Sequence, residues 1–126
     1  MTKYHAMKED AEKAVASLRE VLGVAETNAI VRDSAIKRFE YSFDIIWKLL
    51  KAYLEQEHNV SAHSPKTCFR EAYRLGLVDY DNFWLALCDY RNLTVHTYKE
   101  KLAEEVYAIL PKALAHFESL LGKIRK

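Results

Sequence analysis

The sequence contains few of the residues that cross-link chains or interrupt helices. Its 126 residues include two cysteines, three glycines and two prolines. Cys68 and Cys88 are too few and too far apart for a disulfide framework or a zinc site, so we expect two buried thiols. No apolar run approaches the roughly 20 residues that cross a bilayer, and the N-terminus lacks the apolar stretch of a signal peptide. We therefore predict a cytoplasmic protein with no membrane association.

The sequence also has no large excess of positive or negative charge. Lysine and arginine total 19 against 18 acidic residues, for a net charge of +1. Such a balance excludes the broad basic surface of a bulk nucleic-acid-binding domain, so any contact with RNA would be local. The length fits a single domain over residues 1–126.

Apolar residues at helical spacing are what the sequence does contain, and no strand-like alternation is present. They predict an all-α, antiparallel four-helix bundle with one additional short helix. The predicted helices cover residues 3–22, a start between Asn28 and Asp33 to about Glu57, 64–76, about 81–95, and about Tyr98 to Leu121. Most of the aromatic residues on the second and fourth helices are assigned to the core, with a dimer interface as the alternative: Phe39, Phe43, Trp47, Phe83 and Trp84.

Capping residues and breakers set the predicted helix ends. Gly23, Gly76 and Gly122 each follow an amphipathic segment, where a left-handed residue would end a helix. Pro111 is expected to bend the fifth helix near Tyr107. Helix starts are predicted at Ser64 before Pro65, at Asp79 or Asp81, and at a capping box of Thr97 and Glu100.

The segment RNLTVHTY, residues 91–98, is the main candidate for a functional site. Arg91 continues the inward-facing side of the fourth helix from Trp84, where an arginine needs a partner for its charge. Asp89, Asn92 and His96 follow one another at spacings of three and four on an adjacent face.

Two interpretations of this segment remain open on chemistry alone. In a structural role, Arg91 would pair with Glu40 or Asp44, His96 would cap the fourth helix, and Tyr98 would pack at the corner. In a catalytic role, the imidazole would move protons and the guanidinium would hold a phosphate, which is the minimum that metal-independent RNA cleavage requires. One histidine per chain would then favour two chains meeting across a two-fold axis.

Three stretches together resemble the nucleotidyltransferase substrate-binding protein family, a branch of the HEPN superfamily. They are RDSAIKRFEYSFDIIWKLLKAYLE, SPKTCFREAYRLGLV and RNLTVHTY, and the resemblance covers about residues 28–110. It implies a HEPN-like helical bundle that forms a homodimer and is encoded beside a minimal nucleotidyltransferase, the two acting as toxin and antitoxin.

The resemblance also implies roles for individual residues. An arginine-x4-to-6-histidine motif is associated with ribonuclease activity in HEPN proteins, which makes Arg91 and His96 the catalytic pair and Asn92 the usual polar neighbour. Tyr98, two residues after the histidine, would accept a nucleotide that the partner transfers from ATP. This chain has neither a P-loop nor an aspartate pair for magnesium, so Mg²⁺ and ATP would belong to the partner, with no cofactor or metal in this chain.

Three functions therefore compete. The first is a HEPN-type ribonuclease toxin silenced by modification of Tyr98, and the second is a non-catalytic subunit that presents substrate or nucleotide to a two-component nucleotidyltransferase. The third is a purely structural dimer subunit. A metal site at His58 and His63 is not expected, because no third ligand lies at a fitting spacing.

Overall fold

Five α-helices and one short 3-10 helix form the described part of the chain, which in this computed structural model is residues 2–79 and 81–124. The side chain of Asp81 also lies outside this description. The α-helices are α1 (Lys3–Leu22), α2 (Ala29–His58), α3 (Pro65–Arg74), α4 (Asp81–Leu93) and α5 (Glu100–Lys123). A 3-10 helix at Thr94–His96 continues from the end of α4 toward α5. The predicted all-α architecture is confirmed.

The helices pack around α2, which contacts all four of the others and runs antiparallel to α1. Tyr4 at the start of α1 lies beside Tyr53 near the end of α2, with their rings 6.4 Å apart. Phe69 of α3 stacks on Trp84 of α4 at 4.6 Å. This packing brings the C-terminal end of α4 and the 3-10 helix against the middle of α2, where the candidate site lies.

Aromatic side chains from four helices fill the centre of the core. Phe39 and Phe117 stack at 6.1 Å, and Phe43 contacts Phe69 at 5.9 Å. Trp84 is 2% exposed, so it is a core residue as predicted. Trp47 and Phe83 are only partly buried at the edge of this core.

The structure explains which helix starts were correctly predicted. Asn28 and Ser64 cap α2 and α3 by accepting hydrogen bonds from backbone N–H groups three residues later. The capping box at Thr97 was wrong, because α5 begins at Glu100 without a side-chain cap. The Thr97 hydroxyl instead donates to the Thr94 carbonyl, and Glu100 accepts from Arg32. Of the two alternative caps predicted for α4, Asp79 pairs with Lys123, and the side chain of Asp81 lies outside this description.

The three predicted glycine stops had different outcomes. Gly76 is left-handed (φ 78°) and follows α3 as expected. Gly23 also ends its helix, α1, but with a right-handed φ of −86°. The stop at Gly122 was wrong, because this residue lies inside α5, where the burial of Leu120 and Ile124 draws the last turn onto the core. Asn59, with φ 54°, is the left-handed residue that ends α2.

Pro111 lies inside α5, and the helix continues through it to Lys123. The bend predicted near this proline stays a prediction. Among the helices described here, none combines the length and apolar character needed to span a bilayer. Within residues 2–79 and 81–124, no group of three or more histidine, cysteine and acidic side chains is placed to hold a metal ion.

Candidate functional site

The candidate site lies where α4 ends and the chain turns toward α5. Arg91 is in the last turn of α4, His96 is in the 3-10 helix, and Tyr98 lies in the short connection before Glu100. The helix therefore fixes the arginine, while the histidine and tyrosine project from the connection that follows it. Opposite them, Glu40 and Asp44 occupy successive turns of α2.

Arg91 points inward and its guanidinium is held by α2. Its Nε and Nη2 atoms donate to the two carboxylate oxygens of Asp44 at 2.9 and 3.0 Å, in the bidentate geometry that favours arginine. Its Nη1 donates to the Thr94 hydroxyl at 3.0 Å and lies 3.3 Å from Glu40 Oε2. The hydrogen bonds to Asp44 raise the pKa of the guanidinium, although burial acts against them.

Glu40 links Arg91 to Thr94 of the 3-10 helix and to Lys37 on the surface of α2. The Thr94 hydroxyl lies 3.1 Å from Glu40 and 2.7 Å from the Arg91 carbonyl, so it can donate to either. Burial tends to raise the pKa of Glu40, but hydrogen bonds from Lys37 and Thr94 and the charge of Arg91 lower it overall. Glu40 and Asp44 are thus carboxylates that two cations, Lys37 and Arg91, neutralise.

His96 and Tyr98 are both open to solvent. The phenol of Tyr98 is 78% exposed, and its ring centroid lies 6.3 Å from that of His96 in an edge-on arrangement. Lys99 Nζ lies 6.0 Å from the centroid of the same phenol. Within the described residues the His96 ring has no hydrogen-bond partner, so both of its nitrogens can reach a substrate.

The remaining predicted polar residues lie on the outer side of α4. Asp89 pairs with Lys66 of α3 at 3.0 Å, and its side chain is 67% exposed. Asn92 is exposed and lies beside Arg91 at the mouth of a groove. Asp89 is therefore engaged with α3, while Asn92 remains available at the site.

This groove has a volume of about 380 Å³ and runs between α2, the N-terminus of α3 and α4. Its floor is apolar, and its polar rim includes both Arg91 and Asn92. Arg91 and Asn92 therefore border a depression that can accommodate more than a single phosphate, whereas His96 and Tyr98 are not among its lining residues.

The geometry combines an anchored cation with a free imidazole. Three of the five N–H bonds of Arg91 are used within the chain, which leaves donors on its Nη atoms for a phosphate oxygen. A guanidinium in this position can stabilise charge on a phosphate, and an exposed imidazole can take up or release a proton. The pairing of Arg91 with Glu40 and Asp44, anticipated in the structural interpretation, is present and leaves this chemistry open.

One participant was missed from the sequence. Thr94 bonds the guanidinium of Arg91 and lies within hydrogen-bonding distance of Glu40. Its position three residues after an inward-facing arginine was the available signal, because residues at that spacing face each other on a helix.

Comparison with known proteins decides the family. The model of the family described as "Nucleotidyltransferase substrate binding protein like" matches residues 8–126. The chain belongs to this family. The resemblance seen in the sequence is therefore confirmed, and the match extends to α1 and to the end of α5.

Proteins with related sequences and folds agree with this assignment. A Haemophilus influenzae protein named "Probable ribonuclease HepT" is 34% identical over 106 residues, which are 78% of this chain and 73% of that protein. A crystal structure from Thermus thermophilus is 40% identical with a TM-score of 0.87, covering 92% of this chain and 99% of the other. A structure from Haemophilus influenzae is 29% identical with a TM-score of 0.72, covering 98% and 97%. It is described as revealing the fold of a substrate-binding domain of a nucleotidyltransferase.

Proposed function

We propose that this protein is a HEPN-type toxin, a metal-independent endoribonuclease that a cognate minimal nucleotidyltransferase silences by modifying Tyr98. The observation that carries the proposal is the exposed imidazole of His96 beside the exposed phenol of Tyr98, on the connection that follows the anchored Arg91. The 34% identical relative named as a probable ribonuclease supports the same activity. The proposed compartment is the cytoplasm.

RNA itself supplies the nucleophile for the proposed reaction. His96 removes the proton from a ribose 2′-hydroxyl, and the oxygen attacks the neighbouring phosphorus while Arg91 stabilises the added charge. The bond from phosphorus to the 5′-oxygen breaks, leaving a 2′,3′-cyclic phosphate and a 5′-hydroxyl. The leaving oxygen needs a proton, and His96 of a second chain is the proposed donor, which is the reason for proposing a homodimer.

Exposed apolar side chains at the site are consistent with such a dimer. Val95 and Tyr98 flank His96 and are 62% and 78% exposed. Tyrosine is enriched at interfaces between chains, and exposed apolar side chains beside it extend such a surface. A two-fold contact here would bring two His96 side chains together while leaving the groove beside Arg91 open.

Silencing would follow from a covalent change at Tyr98. The phenolic oxygen forms a bond to the α-phosphorus of ATP, the bond to pyrophosphate breaks, and a base of the partner takes the phenolic proton. Mg²⁺ and ATP are held by the partner enzyme. The attached phosphate places negative charge beside His96, on the connection that follows Arg91, and would repel the RNA phosphate, so the modified chain cannot accept RNA.

A second candidate function is a non-catalytic subunit that binds a substrate or nucleotide for the nucleotidyltransferase. The observation in its favour is the network around Arg91, because Asp44 and Thr94 already use three of its N–H bonds. A relative described as a substrate-binding domain of a nucleotidyltransferase supports this reading too. In this case Arg91 and His96 would bind a phosphate without cleaving RNA.

Expression of the chain alone tests the two candidates. Wild-type protein should arrest growth and cleave cellular RNA, whereas His96→Ala should do neither. His63→Ala, which removes another exposed histidine from the loop before α3, is the matched control and should behave as wild type. Healthy cells with intact RNA in every case would refute the ribonuclease and favour the binding subunit.

The modification is tested by expressing the partner together with the toxin. The intact mass of the wild-type chain should increase by nucleotidyl groups, and growth should recover. Tyr98→Phe removes only the acceptor oxygen and should give a toxin that the partner cannot silence. Neutralisation of Tyr98→Phe with a covalent mass increase would place the acceptor on another residue.

A further inference from the structure

The groove that opens beside Arg91 has the composition of a nucleobase site. Its floor is formed by an aromatic and apolar set from three helices, Phe43, Trp47, Pro65 and Cys88. Its volume of about 380 Å³ falls within the roughly 300–1,000 Å³ of small-ligand sites. An apolar floor with few polar groups at the rim binds a flat, partly polar molecule better than a bare phosphate.

Trp47 is the side chain that distinguishes this groove from ordinary core packing. Whereas Phe43 and Trp84 are 1% and 2% exposed, Trp47 packs on the core but stays partly accessible. In the described part of the chain, its indole N–H has no hydrogen-bond partner. Part of the indole and its donor therefore remain available to a molecule in the groove.

Trp47 and Arg91 line the same groove and are connected through Asp44 of α2, which holds the arginine. Asp44, which holds Arg91, is three residues before Trp47 on α2, or about 4.5 Å along the helix axis. Both residues line the same groove. A phosphate at Arg91 would therefore place its own base, or that of the adjoining nucleotide, over Trp47.

The rim carries charges and hydrogen-bonding groups that match RNA. Lys66 of α3 and Arg91 of α4 both line the groove. They are paired with Asp89 and Asp44, and their remaining N–H groups can donate to a phosphate. Asn92 presents both an amide donor and an acceptor, and neither is bonded within residues 2–79 and 81–124. Unpaired RNA bases are recognised by stacking on aromatic side chains and by hydrogen bonds to their edges, which these groups can supply.

We infer that the groove between α2, α3 and α4 binds an unpaired nucleobase of the RNA substrate, with Trp47 as the stacking surface and Asn92 at the base edge. The inference rests on the proposed ribonuclease function and adds a selection for single-stranded RNA. Duplex RNA would be excluded, because its bases are stacked on one another and cannot enter the groove.

Binding to a catalytically inactive chain tests the groove separately from cleavage. In a His96→Ala background, a short single-stranded RNA of mixed sequence should bind and quench tryptophan fluorescence, whereas the same sequence as a duplex should bind more weakly. The chain contains two tryptophans, and Trp84 is buried against Phe69, so the quench reports on Trp47. Absence of quenching on saturation with single-stranded RNA would overturn the inference.

Substitutions at Trp47 define the role of its ring. Trp47→Phe keeps a stacking surface and should retain most of the affinity, while Trp47→Leu keeps an apolar side chain without a π-face and should bind about 5- to 150-fold more weakly. Tyr73→Leu removes an exposed aromatic of α3 that does not line the groove, and should bind as the parent does. Equal binding by the Phe and Leu variants, both folded by circular dichroism, would overturn the stacking role.

Cleavage assays separate this inference from the proposed function. With His96 intact, Trp47→Leu should raise the KM for single-stranded RNA and leave kcat nearly unchanged. If RNA binding depends on Trp47 but the wild-type chain cleaves no RNA, the groove binds a nucleobase and the proposed ribonuclease activity is refuted. If Trp47→Leu cleaves RNA with an unchanged KM, the ribonuclease activity is supported and the role of the groove in binding a base is refuted.

Discussion

Asp44→Asn is the substitution that most directly tests how Arg91 is held. It replaces a carboxylate by a neutral amide of nearly the same shape. One of the two hydrogen bonds from Arg91, at 2.9 and 3.0 Å, can still be accepted by the amide oxygen. The other acceptor becomes an amide donor that faces the guanidinium. We therefore expect a loss of stability without a change of fold.

The size of this loss follows from the burial of the pair. Hydrogen bonds to charged groups contribute about 1.5–3 kcal/mol, whereas exposed ion pairs contribute about 0–1 kcal/mol. The side chains of Arg91 and Asp44 are 24% and 36% exposed, so solvent screens part of the interaction. We expect Asp44→Asn to lower the free energy of unfolding by about 1–2 kcal/mol, because water and the retained hydrogen bond offset the remainder.

Urea unfolding followed by circular dichroism measures this change. With a slope of about 2 kcal/mol per molar urea, the midpoint should fall by about 0.5–1 M. Asp89→Asn is the matched control, because Asp89 makes an ion pair with Lys66 while 67% exposed, and it should cost less than about 0.5 kcal/mol. A loss for Asp44→Asn no larger than that of Asp89→Asn would refute the view that α2 anchors the arginine.

Three further predictions concern acid stability, helix α5 and the thiols. Because the pKa of Glu40 is lowered in the folded state, the unfolded chain binds its proton more readily, so the contribution of Glu40 to stability should be lost as pH falls below its ordinary value of 4.5. Glu40→Gln should flatten that part of a pH–stability curve, and an unchanged curve would argue against the network. Pro111→Ala restores a backbone donor at an exposed position inside α5 and should stabilise the protein by about 1–3 kcal/mol in the same urea assay, whereas a destabilisation would mean that α5 depends on the proline. Burial raises the pKa of Cys68 and Cys88 to about 11, and Cys68 is fully buried and does not line the groove beside Arg91, so a thiol reagent at a pH of about 8 should react with Cys68 only as the chain unfolds, and rapid reaction of Cys68 in the folded chain would contradict its burial.

Local patterns in the sequence predicted the helices well and their ends less well. Asn28 and Ser64 cap helices through contacts three residues away, so the signal and its structure lie in the same short segment. The capping box of Thr97 and Glu100 failed because Glu100 instead accepts a hydrogen bond from Arg32 at 2.5 Å, a residue 68 positions earlier. A long-range ion pair of this kind has no signature in the local sequence.

In the candidate site, too, local features were predicted from the sequence and long-range contacts were not. The inward direction of Arg91 followed from its spacing after Trp84, and Glu40 and Asp44 were its two anticipated partners. That Arg91 contacts both carboxylates and also the Thr94 hydroxyl depends on how α4 packs against α2, which the local sequence does not reveal. Trp47 was assigned to the core by its helical spacing, but its partial exposure depends on where α3 begins. The catalytic and acceptor roles of Arg91, His96 and Tyr98 stay predictions.

The end of α4 at Leu93 explains how an arginine–histidine motif can tolerate different spacings. Within a continuous helix, one inserted residue would rotate a histidine by about 100° and turn it away from the arginine. Here the histidine lies beyond the helix, in a short connection whose length can change without altering the register of α4 or α5. Residues inserted between Val95 and His96 would lengthen the exposed end of the 3-10 helix, and the core on either side would keep its packing. The number of residues between the arginine and the histidine can therefore change in the part of the fold that is least constrained by packing.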